Sequence, residues 1–505
     1  MPDFQYKQLL SGTDVRGVAV ETPGSPVTLT DEVCGAIAVA FAGWLADKTG
    51  RPIGSLTVAV GHDSRISADR ISAAVHTALT ASGVQVLDCG LSSTPAMFMI
   101  TQQIYSSGDI AAADGAIQIT ASHHPFDRNG LKFFTPDGGL DAADVGTVLK
   151  LAAAGKKPLP AKQGEVISCD FMREYAAILR EFIKKNVAAE RYDKPLYGFH
   201  IVVDAGNGAG GFFATEVLEP LGANIEGSQF LEPDGRFPNH IPNPEDGSAM
   251  HAITRATVES GADLGVIFDT DVDRAGCVTA DGRELNRNRL VALASCLIME
   301  KYPGCTIVTD SITSDGLGDF IEQTLGGRHH RFRRGYKNVI NEAVRLNAEG
   351  VTAPLAIETS GHAAFMDNFF LDDGAYLITN IIVKMAQLKK KGKTLQELLA
   401  GLREPAESRE WRFAISGEDW RSSGLQALDS LKTFTEKHPD WVPAAVNHEG
   451  YRVNVPEYGG WFLLRMSVHD PVMPLNIESD REGGVADMMA ALQPFFDSQS
   501  FLVRK

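Results

Sequence analysis

Short β-branched apolar runs that end in an aspartate and a polar turn recur along the chain. Leu56-Thr-Val-Ala-Val-Gly-His-Asp-Ser-Arg65, His200-Ile-Val-Val-Asp-Ala-Gly-Asn-Gly208 and Thr306-Ile-Val-Thr-Asp-Ser-Ile-Thr-Ser314 share this form. A helix-compatible stretch follows each. A glycine then opens a second strand-like segment, at Gly83-Val-Gln-Val-Leu87, Gly222-Ala-Asn-Ile225 and Gly326-Gly-Arg-His-His330. Buried parallel strands read as continuous apolar runs, and their alternation with helical segments predicts α/β domains with helices on both sheet faces. The spacing is much longer than that of solenoid repeats, so the three copies read as separate domains. Farther on, Tyr451-Arg-Val-Asn-Val455 and Trp461-Phe-Leu-Leu-Arg465 read as hairpin strands joined through Pro456-Glu-Tyr-Gly-Gly460, and Val485-Ala-Asp-Met-Met-Ala-Ala-Leu492 reads as a helix. This last piece is α+β. Linker composition at Lys156-Lys-Pro-Leu-Pro-Ala-Lys-Gln-Gly164, with breaks near Lys301-Tyr-Pro-Gly304 and Gly401-Leu-Arg-Glu-Pro405, places the domains at 1–165, 166–300, 301–405 and 406–505.

Composition narrows the class of partner. A chain of 505 residues accommodates about three to five domains, and 44% hydrophobic with 22% charged residues is the balance of an ordinary globular protein. The formal net charge of -17 repels nucleic acid and anionic membrane surfaces, which points to a small-molecule partner held in a local basic pocket. The six cysteines, Cys34, Cys89, Cys169, Cys277, Cys296 and Cys305, lack C-x-x-C or other zinc spacing and are expected to be reduced thiols. The start, Met-Pro-Asp-Phe-Gln-Tyr-Lys, lacks the pattern of a secretory signal, and no apolar run reaches the roughly 20 residues of a membrane helix. A cytoplasmic location is expected. Oligomeric state is not legible.

Four short segments carry chemistry. In Thr120-Ala-Ser-His-His-Pro125, Ser122 lies in a loop after the predicted strand Ala116-Ile-Gln-Ile-Thr120, and Pro125 prevents a helix from starting at once behind it. The hydroxyl is thereby expected to be exposed. A serine holds a phosphoryl group reversibly as an ester of about -1.5 to -2 charges, whereas a turn serine merely bonds its own backbone. Asp269, Asp271 and Asp273 follow the run Leu264-Gly-Val-Ile-Phe268, and extended backbone there would put the three alternate side chains on one face. Adjacent carboxylates repel unless a cation lies between them, and Mg2+ suits hard oxygen ligands, with phosphorylated Ser122 as a fourth. An EF-hand is excluded, since its sixth and twelfth positions are Arg274 and Ala280 here. The D-x-D-x-[TV] signature of haloacid-dehalogenase-type phosphatases does match Asp269-Thr-Asp-Val272, with Asp269 as nucleophile and Asp271 as acid, but leaves Asp273, Arg274 and the other segments unused. Arg274 offers positive charge to a transferring phosphoryl group.

Glu358, Ser360 and His362 follow the predicted strand Leu355-Ala-Ile357, the place where ligands of α/β sheets bind, and offer acceptors and a hydroxyl to vicinal sugar hydroxyls. A Ser-His hydrolase is disfavoured because G-x-S-x-G is absent. Arg465, Ser467 and His469 follow the strand Trp461–Leu464 and bring donors suited to phosphate. The four segments read together as phosphoryl transfer on a sugar.

At these residues the chain resembles the α-D-phosphohexomutases, the phosphomannomutase/phosphoglucomutase family, whose phosphoserine, metal, sugar and phosphate loops fall in this order over nearly the whole length. The resemblance implies three α/β domains with mixed sheets and a C-terminal α+β domain around a central cleft. It pairs T-A-S-H-N-P with N-G-x-K, matched by Asn129-Gly-Leu-Lys132, although His124 stands where the family has asparagine. It makes Ser122, His123, Lys132, Arg16 and Arg274 catalytic, with Arg16 and Lys132 as acid/base or phosphate-steering groups. Ser122, Asp269, Asp271 and Asp273 become metal ligands. Glu358 and Ser360 would grip the sugar O3 and O4, with His362 beside them, and Arg465, Ser467 and His469 the phosphate that is not reacting. Arg65 and Lys337 match weaker positions, Lys337 as a substrate contact, while Asp372-Asp-Gly374 fits as a structural motif. Asp470 departs from the R-x-S-G-T-E-P of phosphoglucosamine mutases, and its carboxylate must point away from the ligand.

The implied reaction passes phosphate from Ser122 to a hexose 1- or 6-phosphate, giving a bound hexose 1,6-bisphosphate that turns over and returns its other phosphate. A mobile fourth domain would close over the ligand. Mannose and/or glucose phosphates are the expected substrates, because O3 and O4 do not report C2. The alternatives are a phosphoglucosamine mutase, a haloacid-dehalogenase-type phosphatase and a non-catalytic sugar-phosphate binding protein.

Overall fold

Local signals set the first long helix, Asp31–Thr49. Thr30 caps it by accepting from the Val33 amide at 3.3 Å, Asp31 and Glu32 lie in its first turn, and Gly50 closes it at φ 66°. Its Val33, Ile37, Phe41 and Leu45 are buried against Ile71, Val75 and Leu79 of the helix Ala68–Ala81 and against Val145, Val148 and Leu149 of the helix Ala142–Ala154. The computed structural model describes residues 5–102, 112–155, 162–417, 419–467 and 470–504. The linker reading at 156–164 therefore falls mostly outside the described residues. The chain forms two units, Met1–Leu297 with Ser360–Leu398, and Ile298–Thr359 with Leu399–Lys505.

In the first unit, these helices cover a mixed sheet. Its strands run in the order Leu10–Ser11, Asp14–Val18, Arg128–Thr135, Gly115–Ile119, Thr57–His62, Gln85–Leu91 and Val166–Ser168, with Gly138–Gly139 paired to Arg128–Thr135. The last four strands of that order run parallel, and Arg128–Thr135 returns antiparallel. Val166–Ser168 extends this sheet just beyond residue 165. Gly130 leaves no room for a side chain, because a Cβ there would lie 2.1 Å from the Val15 carbonyl and 2.8 Å from that of Thr120. Gly130→Ala is accordingly expected to cost about 2 to 3 kcal/mol, read as a lower urea midpoint at unchanged slope.

A four-stranded sheet follows in the same unit, with Leu264–Phe268 parallel to Ile201–Asp204 and antiparallel to Ala275–Thr279, which pairs with Glu284–Leu285. The expected strand at Gly222–Ile225 does not form; that stretch makes only the isolated bridge His200↔Asn224. Glycines at positive φ bracket it, Gly222 at 88° and Gly227 at 89°, and the Asn224 side chain accepts from the Glu226 amide at 3.0 Å, so local bonding replaces the ladder. The apolar helix Gly374–Lys389 packs against the helix Phe171–Val187.

In the second unit, Thr306–Thr309 lies parallel to both Arg328–Arg331 and Leu355–Ile357, with the helix Tyr336–Ala348 against them. The C-terminal part is an antiparallel sheet ordered Val442–Pro443, Tyr451–Val455, Gly460–Leu464, Val472–Ser479, Glu407–Ile415 and Leu502–Arg504. Phe413 stacks on Phe496 of the helix Gly484–Ser498 with ring centroids 4.1 Å apart, in a core with Phe462, Leu475, Ile477 and Leu492. Among the described residues, no helix is long and apolar enough to cross a membrane. All six cysteines are buried, and none is in a disulfide.

Candidate active site

Two hairpins of the first unit bring its reactive side chains together. Strands Gly115–Ile119 and Arg128–Thr135 pair Gln118 with Lys132, and the connection between them holds Ser122 at φ 50°. Strands Leu264–Phe268 and Ala275–Thr279 pair Phe268 with Ala275, leaving 269–274 as a tight turn with Val272 at φ 68°. The extended backbone expected for the aspartate triplet is thus corrected to a turn. The three carboxylates converge because the chain reverses there, not because alternate residues share a strand face.

Ser122 Oγ donates to Asp269 Oδ2 at 2.9 Å and accepts from Arg274 Nη2 at 2.7 Å. The same Arg274 nitrogen donates to His123 Nδ1 at 2.6 Å, while Nη1 donates to Asn243 Oδ1 at 3.2 Å. Lys132 Nζ donates to Asp271 Oδ2 at 2.8 Å and to Asp273 Oδ2, and Thr94 Oγ1 donates to Asp271 Oδ2 at 2.5 Å. His362 Nδ1 lies 2.5 Å from Asp372 Oδ2 and 3.8 Å from Asp273 Oδ1. Arg16 donates to Asp14 Oδ2 at 2.6 Å and to the Thr120 carbonyl at the start of the serine loop. Ser360 is buried in the same unit. Gly374 touches the turn directly: its amide donates to the Val272 carbonyl at 3.1 Å, and a Cβ would lie 2.7 Å from Arg274 C.

Charge is closely balanced in this buried cluster. Burial and the Asp273 carboxylate raise the Asp269 pKa well above its ordinary value, against Arg274. Burial also opposes ionisation of Asp271, but the Lys132 ammonium outweighs it and holds that carboxyl well below the usual range. The Arg274 guanidinium, with burial, pushes His123 far below the usual imidazole value, so it is neutral. Burial disfavours charge on His362, yet Asp372 and Asp273 overcome it and raise it to about 9.

Asp269, Asp271 and Asp273 present carboxylate oxygens all within 4.8 Å of one another. Oδ1 of Asp271 and Oδ1 of Asp273 are buried without a hydrogen-bond partner. Hard, orphaned acceptors in such a cluster fit a divalent cation of the magnesium type.

In the second unit, Glu358 Oε1 accepts from the Gly335 amide at 2.6 Å, and Gly335 leads into the helix whose second residue is the half-buried Lys337. Glu449 Oε2 accepts from Ser311 Oγ at 2.6 Å and from the Arg334 amide at 3.0 Å, and its other oxygen lies 3.7 Å from Arg465 Nη1. Arg465 Nε is buried with no acceptor among the described residues. Ser467 Oγ accepts from the Asp470 amide at 3.3 Å, and Asp470 itself is exposed. His469 lies outside the described residues.

Comparison with known proteins decides the family. Residues 7–154, 174–282 and 286–405 match the family models of phosphoglucomutase/phosphomannomutase, alpha/beta/alpha domains I, II and III respectively. The chain belongs to the phosphoglucomutase/phosphomannomutase family. It is therefore a phosphohexomutase by descent, and the haloacid-dehalogenase-type reading of Asp269-Thr-Asp-Val272 is set aside. Among curated members of the family, the chain is 27% identical to a phosphoglucomutase of Neisseria gonorrhoeae over 98% of both chains. It is 29% identical to a phosphomannomutase/phosphoglucomutase of Pseudomonas syringae pv. tomato, over 86% of this chain and 87% of that one. A crystal structure of a phosphoglucomutase/phosphomannomutase family protein from Burkholderia thailandensis superposes with a TM-score of 0.79 at 26% identity, covering 98% of both chains.

Thr94, Asn243 and Glu449 escaped the sequence reading. Thr94 follows the N-cap Ser93 and precedes a proline, which marks a helix start but says nothing of an aspartate 177 residues away. Asn243 and Glu449 lie in segments with no periodic or motif signal.

Proposed function

We propose that this phosphohexomutase interconverts hexose 1-phosphate and hexose 6-phosphate, with glucose and mannose as the sugars, through phosphorylated Ser122 and a bound hexose 1,6-bisphosphate. The observation that carries the reading is the placement of Ser122 Oγ between Asp269 Oδ2 at 2.9 Å and Arg274 Nη2 at 2.7 Å, within a buried cluster of three aspartates, Lys132 and Arg274. A hydroxyl meant only for a turn would bond its own backbone instead.

The free hydroxyl directs its proton to Asp269 Oδ2, so Arg274 Nη2 meets an oxygen lone pair. When the oxygen carries phosphate, Arg274 is placed to balance charge on the non-bridging oxygens. Transfer breaks the Oγ–P bond as a sugar hydroxyl oxygen forms a new bond to phosphorus, the proton lost by that hydroxyl ending on Ser122 Oγ; the return step forms Oγ–P again from the other end of the bisphosphate, and the Oγ proton ends on the sugar oxygen released. Lys132, held in ion pairs by Asp271 and Asp273, steers phosphate. His123 is a neutral imidazole 3.5 Å from Oγ, and His362 is a cation paired with Asp372. A divalent cation held by Asp269, Asp271, Asp273 and the serine phosphate would neutralise charge on the transferring group. Glu358 and Ser360 are assigned to the sugar hydroxyls, Lys337 to substrate, and Arg465, Ser467 and His469 to the idle phosphate. The four domains at 1–165, 166–300, 301–405 and 406–505 each supply one loop to this division of labour, and the setting is the cytoplasm.

The test is a coupled assay with the 1-phosphates of glucose, mannose and glucosamine, primed by a trace of hexose 1,6-bisphosphate, with peptide mapping of the phosphorylated residue. Turnover of glucose and mannose phosphates with the label on Ser122 is expected; turnover of the glucosamine phosphate alone would replace the assignment of sugar. Glu358→Gln is expected to slow glucose and mannose phosphates by similar factors, since the hydroxyls it holds are common to both. Arg465→Ala should weaken every phosphosugar by roughly one to two orders of magnitude, the worth of a charge-assisted bond of about 1.5 to 3 kcal/mol. Selective loss of one epimer in the Glu358 variant, or unchanged affinity in the Arg465 variant, would refute the respective assignment.

A further inference from the structure

The loop that carries Ser122 is gripped by a buried arginine that touches none of the reacting atoms. We propose that Arg65, braced by Asp63, is the positioning residue of this loop, fixing the Ser122 backbone and thereby the aim of Oγ between Asp269 and Arg274. The proposal rests on the reading of Ser122 as the phosphoryl carrier.

Ser122 stands at φ 50°, a left-handed conformation that a residue with a side chain keeps only where its surroundings over-determine it. Two constraints supply this. On the amide side, Ser122 N donates to Thr120 Oγ1 at 2.8 Å, and Thr120 Oγ1 donates to Asp63 Oδ2 at 2.6 Å. On the carbonyl side, Arg65 Nη2 donates to the Ser122 carbonyl and, at 2.6 Å, to that of His124. Its Nη1 donates to the carbonyls of Pro125 at 2.8 Å and Arg128 at 2.9 Å. One planar guanidinium therefore serves four inward-pointing carbonyls across 122–128, in a loop without ladder bonds of its own over most of that span.

Asp63 connects the two sides. Its Oδ1 accepts from the Arg65 amide at 2.9 Å, and its Oδ2 lies 3.4 Å from Arg65 Nε, with both side chains fully buried. The arginine backbone is itself wedged: a Cβ on Gly235 would lie 2.4 Å from Ser64 O and from Ile66 N, and the Phe237 ring sits 5.3 Å from the Arg65 guanidinium carbon. Every hydrogen bond of the Arg65 guanidinium goes to backbone, so its function is geometric. It should govern the rate of transfer and leave substrate affinity alone.

Arg65→Lys keeps the charge but replaces a planar fork by a point donor, which cannot hold four carbonyls. Intact mass would measure phosphate on Ser122, rapid quench would measure single-turnover transfer to glucose 6-phosphate, and calorimetry would measure glucose 6-phosphate affinity of the dephosphorylated enzyme. The variant is expected to accept phosphate on Ser122 from glucose 1,6-bisphosphate, to bind glucose 6-phosphate within about twofold of native, and to transfer about a hundredfold more slowly, the scale of a misplaced reacting group. Thr120→Val releases the amide side without touching Arg65 and should show the same split at about tenfold. Native transfer rates in folded Arg65→Lys, or affinity falling as far as rate, would overturn the proposal. Should Arg65→Lys not fold, Thr120→Val decides alone, and a native rate there overturns it. Native enzyme phosphorylated elsewhere than Ser122 sinks the reading of the carrier itself, whereas a phosphorylated native Ser122 with native-rate variants sinks only the role of Arg65.

Discussion

Ser122→Ala is expected to lower mutase turnover by about two to four orders of magnitude, the range found when a group essential to the reacting centre is removed. The loss follows from the role proposed for Ser122 as covalent phosphoryl carrier, and no other hydroxyl of the described cluster lies on both Asp269 and Arg274. Folding should be little affected. The side chain is small, and its removal leaves Asp269 still paired with Arg274 at 2.8 Å. Steady-state kinetics with glucose 1-phosphate and a thermal melt measure the two effects separately. Near-native turnover, with phosphate recovered on an aspartate, would show that the carrier is elsewhere.

Exhaustive removal of divalent cations is expected to lower turnover by about three orders of magnitude, the equivalent of roughly 4 kcal/mol, and magnesium should restore it. Lys132 and Arg274, with His362 3.8 Å from Asp273, confront the three aspartates, and an incoming phosphate adds further negative charge to a buried site. The Oδ1 atoms of Asp271 and Asp273, which lack a hydrogen-bond partner, are the acceptors that would face an ion. Asp271→Asn should therefore weaken magnesium binding at least about tenfold by calorimetry, while the fold persists because Thr94 and Lys132 keep a polar partner. Full activity after chelation, or calcium serving as well as magnesium, would show that these oxygens do not hold the ion.

The sequence alone determined the order of strands and helices and the loops where chemistry would sit. Leu264–Phe268, Leu355–Ile357 and Gly115–Ile119 are strands that end where Asp269, Glu358 and Ser122 lie close behind, because apolar runs, capping residues and turn formers act over a few neighbouring positions. The motif order pointed correctly to the phosphohexomutase family. Tertiary structure decided what no neighbourhood encodes. The Asp269–Asp273 segment is a tight turn because the Phe268–Ala275 pair closes a hairpin around it, and the strand expected at Gly222–Ile225 gave way to local bonding. Lys132 is pinned to Asp271 and Asp273 some 140 residues away, and Arg65 holds the serine loop from 57 residues upstream of Ser122. Such partnerships depend on which elements pack together and in what register. Protonation states depend in turn on that packing, since burial and a single neighbouring charge move Asp269 and Asp271 in opposite directions although they stand two residues apart.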